Sequence, residues 1–563
     1  MTFGRFLNAA GGRARSRLRP DGWSLGVTAM ALALALPVLV VASFVFRPAG
    51  EVWRHLAATM LAEYVTNSVL LLLGVGAGTL VLGVGTAWLC TLCRFPGRRF
   101  FQWALLLPMA MPAYIIAYTY TGMFDFAGPV QSALRSGFGW GYGDYWFPRI
   151  RSLGGAVVML SLVLYPYVYL LARAAFLEQS VCVLEVSRTL GCGPWRSFFA
   201  VALPLARPAI IAGLTLSLME ALADFGAVQY FGVGTFTTGI FRTWFGLGDS
   251  GAAAQLASLM MAFVLALIVL ERRSRRRARY HHTSRRYRTL PGYPLRGRLA
   301  AGAFAACLLP LFFGFLLPSG QLASWVLRTW RNTLDGVFLE LVRNSLLLAA
   351  GAALLALGPA LFMAYGKRLR SSPAVAAAVR LAGMGYAVPG LVVALGVMIP
   401  FAWLDNTLDA WARSRFGLST GLLLSGTVTA LLFAYVVRFL AVSLNTVEAS
   451  LGKVRPSMDD AARSLGLRPG AVLGRVHLPI MRGSLLTALL LVFVDVLKEL
   501  PATLVLRPFN FNTLAVRTFE LASDEMLAES SLAALAIVLA GILPVILLSR
   551  SIRRVRQGGA HVA

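Results

Sequence analysis

EVSRTLGCGPWRSFFAVALP (Glu185 to Pro204) and DAARSLGLRPGAVLGRVHLP (Asp460 to Pro479) are two spellings of one pattern. Each opens on an acid, carries an Arg three residues on (Arg188, Arg463) and a Gly three further (Gly191, Gly466). Nine residues then lead to an apolar residue, any residue, and Leu-Pro: Leu203-Pro204 and Leu478-Pro479. In the first copy a short amphipathic helix would present Leu184 and Leu190 as a knob, with Glu185 and Arg188 on its flank at i, i+3. In the second copy Asp460, Ala461, Ala462 and Arg463 occupy the same places, with small residues at Ser187 and Ala462. Glycine can adopt positive φ and stop such a helix abruptly. Gly193-Pro194 and Pro469-Gly470 turn the chain, and a second helix then enters an apolar run. A rigid helix–turn–helix of this kind can be pushed as a body by a partner.

The surrounding chain is unlike a soluble domain. Hydrophobic residues make up 58% of it and charged residues only 13%, about half the charge of a soluble globular protein. Stretches of about twenty apolar residues predict an all-α polytopic membrane protein with twelve spans. They lie near 25–46, 63–91, 101–123, 152–177, 205–229 and 252–270, then near 299–317, 341–366, 376–402, 418–444, 480–505 and 530–549. The arginine-rich start resembles a signal peptide, but no small-residue cleavage site follows, so a retained first helix is expected. Basic residues concentrate in the tails and in the connections on the tails' side, which the positive-inside rule assigns to the cytoplasm. The net charge of +28 is thereby a topology signal. The run Arg272 to Arg286 suits anionic lipid headgroups, and nucleic acid is not an expected partner. Five cysteines are too few for a disulfide framework, and Cys90 with Cys93 lacks a second ligand pair for zinc. No HExxH, GxSxG or phosphate-loop sequence occurs, so no catalytic residue, resident metal or bound cofactor is expected.

The two loops belong to a longer internal repeat. Asn67-Ser68 recurs as Asn344-Ser345 and Pro112 as Pro389, shifted by 277. Arg188, Gly191 and Arg207 recur as Arg463, Gly466 and Arg482, and Thr238 and Arg242 as Thr513 and Arg517, shifted by 275. This divides the chain into a tail (1–24), a first repeat (25–271, loop 178–204), a basic linker (272–298), a second repeat (299–549, loop 446–479) and a tail (550–563). An even number of spans separates equivalent points, so the six-helix repeats are parallel, with a pathway expected between them.

At these loops the chain resembles the permease subunits of bacterial ABC importers, whose EAA loop reads Glu-Ala-Ala, three residues, Gly, nine residues, then apolar-x-Leu-Pro. Val186-Ser187 and Asp460 depart from that motif. The resemblance implies a type I importer fold in the inner membrane, with both termini cytoplasmic. It also implies that a homodimer of ATPase subunits, carrying the ATP and Mg, seats on the loops. A periplasmic binding protein would deliver the solute.

Four carboxylates are placed by these limits inside the fifth and eleventh spans: Glu220 and Asp224, Asp495 and Glu499. Within each span they stand at i, i+4, and across the repeats they correspond at a shift of 275. Intramembrane acids normally face a bundle interior or water, so two such faces would make an acidic path for a cation. Structural pairing, Glu499 with Lys498 or Asp495 with Arg438, is the alternative. Thr235 to Leu259 and Asn510 to Leu535 resemble the outer loop and last span of ferric-iron importer permeases, a fused two-half family of this length. That resemblance implies Fe3+ as solute, with Arg242 and Arg517, beside loop 124–151, receiving the binding protein. Permeases for thiamine, polyamine, phosphonate, sulfate and molybdate are related. A proton-coupled transporter and a membrane anchor without transport are the competing classes.

Overall fold

The computed structural model describes residues 22–48, 50–141, 143–178, 193–276, 293–370 and 372–557. Eleven helices among them are long and apolar enough to cross a membrane, and a bent pair makes a possible twelfth crossing. Among the described residues the protein is all-α apart from a two-residue parallel pairing of Cys93–Arg94 with Tyr293–Pro294, which fastens the end of the basic linker beside the second span.

The bent crossing is the third span. Arg98–Ala110 and Ala113–Phe138 meet at 90°. Met111 is extended (φ −90°, ψ 113°) in front of Pro112, which caps the helix Ala113–Phe124. A residue before proline is pushed out of the α region, and proline itself has no N–H to give. The repeat does the same thing: Val388 is extended (φ −84°, ψ 125°) before Pro389, which separates Pro373–Ala382 and a 3-10 turn from Gly390–Phe416. The ninth span therefore starts at Gly390, well inside the expected 376–402, and runs on to Phe416.

Proline also shapes the entries to the fifth and eleventh spans. A π-turn, Phe198–Ala202 in one repeat and Leu473–His477 in the other, stands immediately before Leu203-Pro204 and Leu478-Pro479. The N–H of Leu203 reaches Phe198 and that of Leu478 reaches Leu473, five residues back. The widened turn adjusts the ladder where the following proline offers no donor.

Packing divides the molecule differently from the sequence. One compact unit contains Met1–Ser43, Ser345–Leu497 and Val505–Phe511; the other contains Phe44–Asn344, Lys498–Leu504 and Asn512–Ala563. In the first unit the opening span, Gly22–Ser43, lies on Pro373–Ala382 and Gly390–Phe416 of the second repeat. Trp23 stacks on Phe362 at 5.1 Å, and a Cβ at Gly396 would strike the Pro37 carbonyl. Backbones come this close in membranes where a glycine removes the side chain, since lipid supplies little hydrophobic drive. In the second unit the core of the first repeat takes helices from the second. Tyr120 donates to the Phe313 carbonyl (2.6 Å), and Leu527–Gln557 lies on Leu317–Thr333, where Thr329 donates to the Ala528 carbonyl (3.2 Å).

Candidate coupling loops and pathway residues

In the second loop the helix Pro456–Ser464 starts on Pro456 and stops at Gly466, whose φ is +81°. Its outward face carries Asp460 and Arg463, exposed and 3.6 Å apart at i, i+3. Ala461 and Leu465 are also exposed, Leu465 at 81%, while Ala462 is buried at 5%. The loop thus offers a leucine beyond its helix end and a small residue against its own support. Leu478 is half-buried and Pro479 exposed at the start of Leu478–Leu497. In the first loop Leu184, Glu185, Ser187, Arg188 and Gly191 lie outside the described residues; Leu203 and Pro204 open the helix Leu203–Ala223.

The four acids are not on uninterrupted helix faces. The fifth span ends at Ala223 and the eleventh at Leu497, short of the expected 229 and 505. Short helices Gly226–Tyr230 and Pro501–Leu506 follow. Asp224 Oδ1 accepts the N–H groups of Ala227 (3.0 Å) and Val228 (3.2 Å), and Glu499 Oε1 accepts that of Ala502 (3.2 Å). Ala227 and Ala502 correspond at the repeat shift of 275. The inner acid of each pair therefore caps the short helix after a break, satisfying otherwise orphaned donors. Glu220 and Asp495 stay within the last turn of each long helix, both half-buried. In the second unit the Gly226 turn meets Tyr114: a Cβ on Gly226 would come within 2.6 Å of Tyr114 Cβ and 3.0 Å of Leu500 Cδ2. The turn after the first break thus lies on the helix Ala113–Phe124, with Leu500 from the second break beside it.

A model of the binding-protein-dependent transport system inner membrane component family matches residues 79–280. The Fe(3+)-transport system permease protein FbpB 2 of Haemophilus influenzae is 28% identical over 546 residues, covering 94% of this chain and 99% of that protein. The putative ferric transport system permease protein FbpB 1 of the same organism is 24% identical over 81% of this chain and 72% of its own. The molybdenum transport system permease protein ModB of Escherichia coli is 31% identical over 210 residues, 36% of this chain and 89% of that protein. The chain belongs to the binding-protein-dependent inner membrane permeases. It is a multi-pass ABC permease of the inner membrane.

Reading each loop by itself missed how the permease holds the second one. Asp459, next to the motif acid, is buried and pairs with Arg368 at the end of Gly336–Leu369 (Nε to Oδ2, 2.8 Å). Arg368 also donates to the carbonyls of Leu451 (2.5 Å) and Val454 (2.9 Å). His477 Nε2 lies 2.8 Å from Asp459 Oδ1, off the hydrogen-bond direction, and its ring faces Tyr365 at 5.5 Å. Tyr365 donates to the Pro469 carbonyl, and Lys367 pairs with Glu448, both at 2.8 Å. The signal available in sequence was the adjacent Asp459-Asp460 pair, which puts a charge where the first loop has the apolar Leu184.

Thr235 caps Phe236–Phe241 and Thr513 caps Leu514–Ser523. Asn67 donates to the Gly234 carbonyl (2.9 Å) and Asn344 to that of Asn512 (3.4 Å), each just ahead of the cap. Measured from these caps, Arg242 lies a helical turn later than Arg517, so the two arginines are not in matched places despite their sequence register. Arg242 is exposed and reaches the Tyr64 hydroxyl; Arg517 is half-buried. In loop 124–151, Arg151 approaches Asp125 (3.5 Å) and Glu525 (3.2 Å).

Proposed function

We propose that this permease carries ferric iron, delivered by a periplasmic binding protein and driven by a homodimeric ATPase seated on the two coupling loops, with both termini in the cytoplasm. The observation that carries the reading of the solute is the repeat-related placement of Glu220 and Asp495 beside the capped helix breaks. Carboxylate oxygens are hard donors of the kind a small, highly charged cation prefers. Two repeat-related carboxylates reduce the cost such a cation meets in low dielectric, while Asp224 and Glu499 hold the breaks in shape. The ferric-iron names of the two relatives that match 94% and 81% of this chain support the same solute. Glu185, Arg188 and Gly191 in one loop, and Asp460, Arg463 and Gly466 in the other, form the surface for the ATPase, which alone hydrolyses ATP. Arg242 and Arg517 meet the binding protein, and the basic linker meets anionic lipid.

The test is uptake of labelled Fe3+ into proteoliposomes containing the permease, ATPase and binding protein. Glu220→Gln/Asp495→Asn should lower uptake while assembly and basal ATP hydrolysis persist. Full uptake by that variant would remove the acidic path. Molybdate uptake by the unaltered permease that the variant leaves unchanged or speeds would point instead to an anion.

A further inference from the structure

The residues that support the second coupling loop are not repeated in the sequence of the first half. At the repeat shifts of 277 and 275, Arg368, Asp459 and His477 correspond to Thr91, Leu184 and Ala202. All three ionisable residues are replaced together by uncharged ones. Tyr365, which faces His477, corresponds to Trp88, and Trp88 packs on Phe198 (4.7 Å) and Phe176 (5.8 Å). The first loop's continuation is thus seated on an aromatic cluster, and the second on an ionic one.

These seats differ mechanically. Arg368 engages a carboxylate and two carbonyls at once, and only 17% of its side chain is exposed, against 10% for Asp459 and none for His477. A planar guanidinium holding three acceptors fixes direction as well as distance, and separating a buried ion pair is costly. Apolar contact is non-directional, so its partners can slide while staying buried.

We propose that Arg368, Asp459 and His477 form an ionic joint whose residues position the second coupling loop on the eighth span, so that this loop transmits ATPase motion as a fixed lever. The proposal rests on reading the loops as the ATPase seat.

The test gives the second loop the first loop's residues: Arg368→Thr/Asp459→Leu/His477→Ala. Met458, Asp460 and Leu465 on the exposed face are untouched, so the ATPase should still bind and hydrolyse. Labelled Fe3+ imported per ATP, in the proteoliposomes described above, should fall about tenfold, the size of a typical coupling between sites. An unchanged ratio overturns the joint. If the triple variant fails to accumulate, Arg368→Lys keeps the charge and removes the three-acceptor fork; the ratio should again fall, and wild-type coupling there overturns the proposal. A lower yield with a normal ratio means a structural role only and also overturns it. Absence of ATPase binding by the unaltered permease would instead defeat the seat reading, and the joint with it.

Discussion

At the scale of single residues, the acids separate into two jobs. Asp224 and Glu499 each accept backbone donors of the helix that follows, so Asp224→Ala or Glu499→Ala should cost about 1 kcal/mol, as loss of a helix cap does. A thermal unfolding midpoint measured in detergent should drop for each, and Asp224→Asn, which keeps an acceptor oxygen, should recover most of it. An unchanged midpoint for both alanine variants would mean that the caps contribute nothing. The sequence showed the acids and their spacing, but hydropathy windows see composition and not capping, so both spans were drawn through the breaks. Gly226 and Pro501 were the residues that announced the interruptions.

At the scale of an element, the helix Pro456–Ser464 ends where Gly466 takes φ of +81° with open space around it. A valine there meets no neighbour; the penalty is the backbone conformation, about 1–3 kcal/mol for a β-branched residue. The chain can escape that strain by reshaping the helix end and moving Leu465. Gly466→Val should therefore weaken co-purification of the ATPase and lower binding-protein-stimulated hydrolysis, with the membrane helices intact by circular dichroism. Normal stimulation would show that the ATPase does not read this helix end. The end of the helix was legible from spacing alone. Its fastening was not, because Arg368 lies far away in the chain and belongs to no local pattern.

For the whole molecule, the repeat, the bend of the third span and the start of the ninth were written in Pro112 and Pro389. The exchange of helices between repeats was not, since long-range packing leaves no periodic trace. Each compact unit draws helices from both sides of the basic linker. Chains cut within 277–292 and co-expressed should consequently co-purify through a tag on either piece, and each piece made alone should accumulate poorly. Pieces that purify separately and fold well alone would contradict the exchanged packing.

That exchange also sets an order of events during synthesis. The span Gly22–Ser43 leaves the ribosome ahead of the second repeat, yet Gly26 lies on Phe362, whose ring a Cβ at that glycine would meet at 2.8 Å. At roughly 5–20 residues per second, the partner emerges about 20–70 s later. For that interval the helix Gly22–Ser43 has only lipid or the insertion machinery around it, and the small surface meant for Phe362 and Gly396 is open to other nascent helices. Its length and apolarity must hold it in the bilayer unaided, which places a heavy burden of insertion on a segment whose seat is made much later.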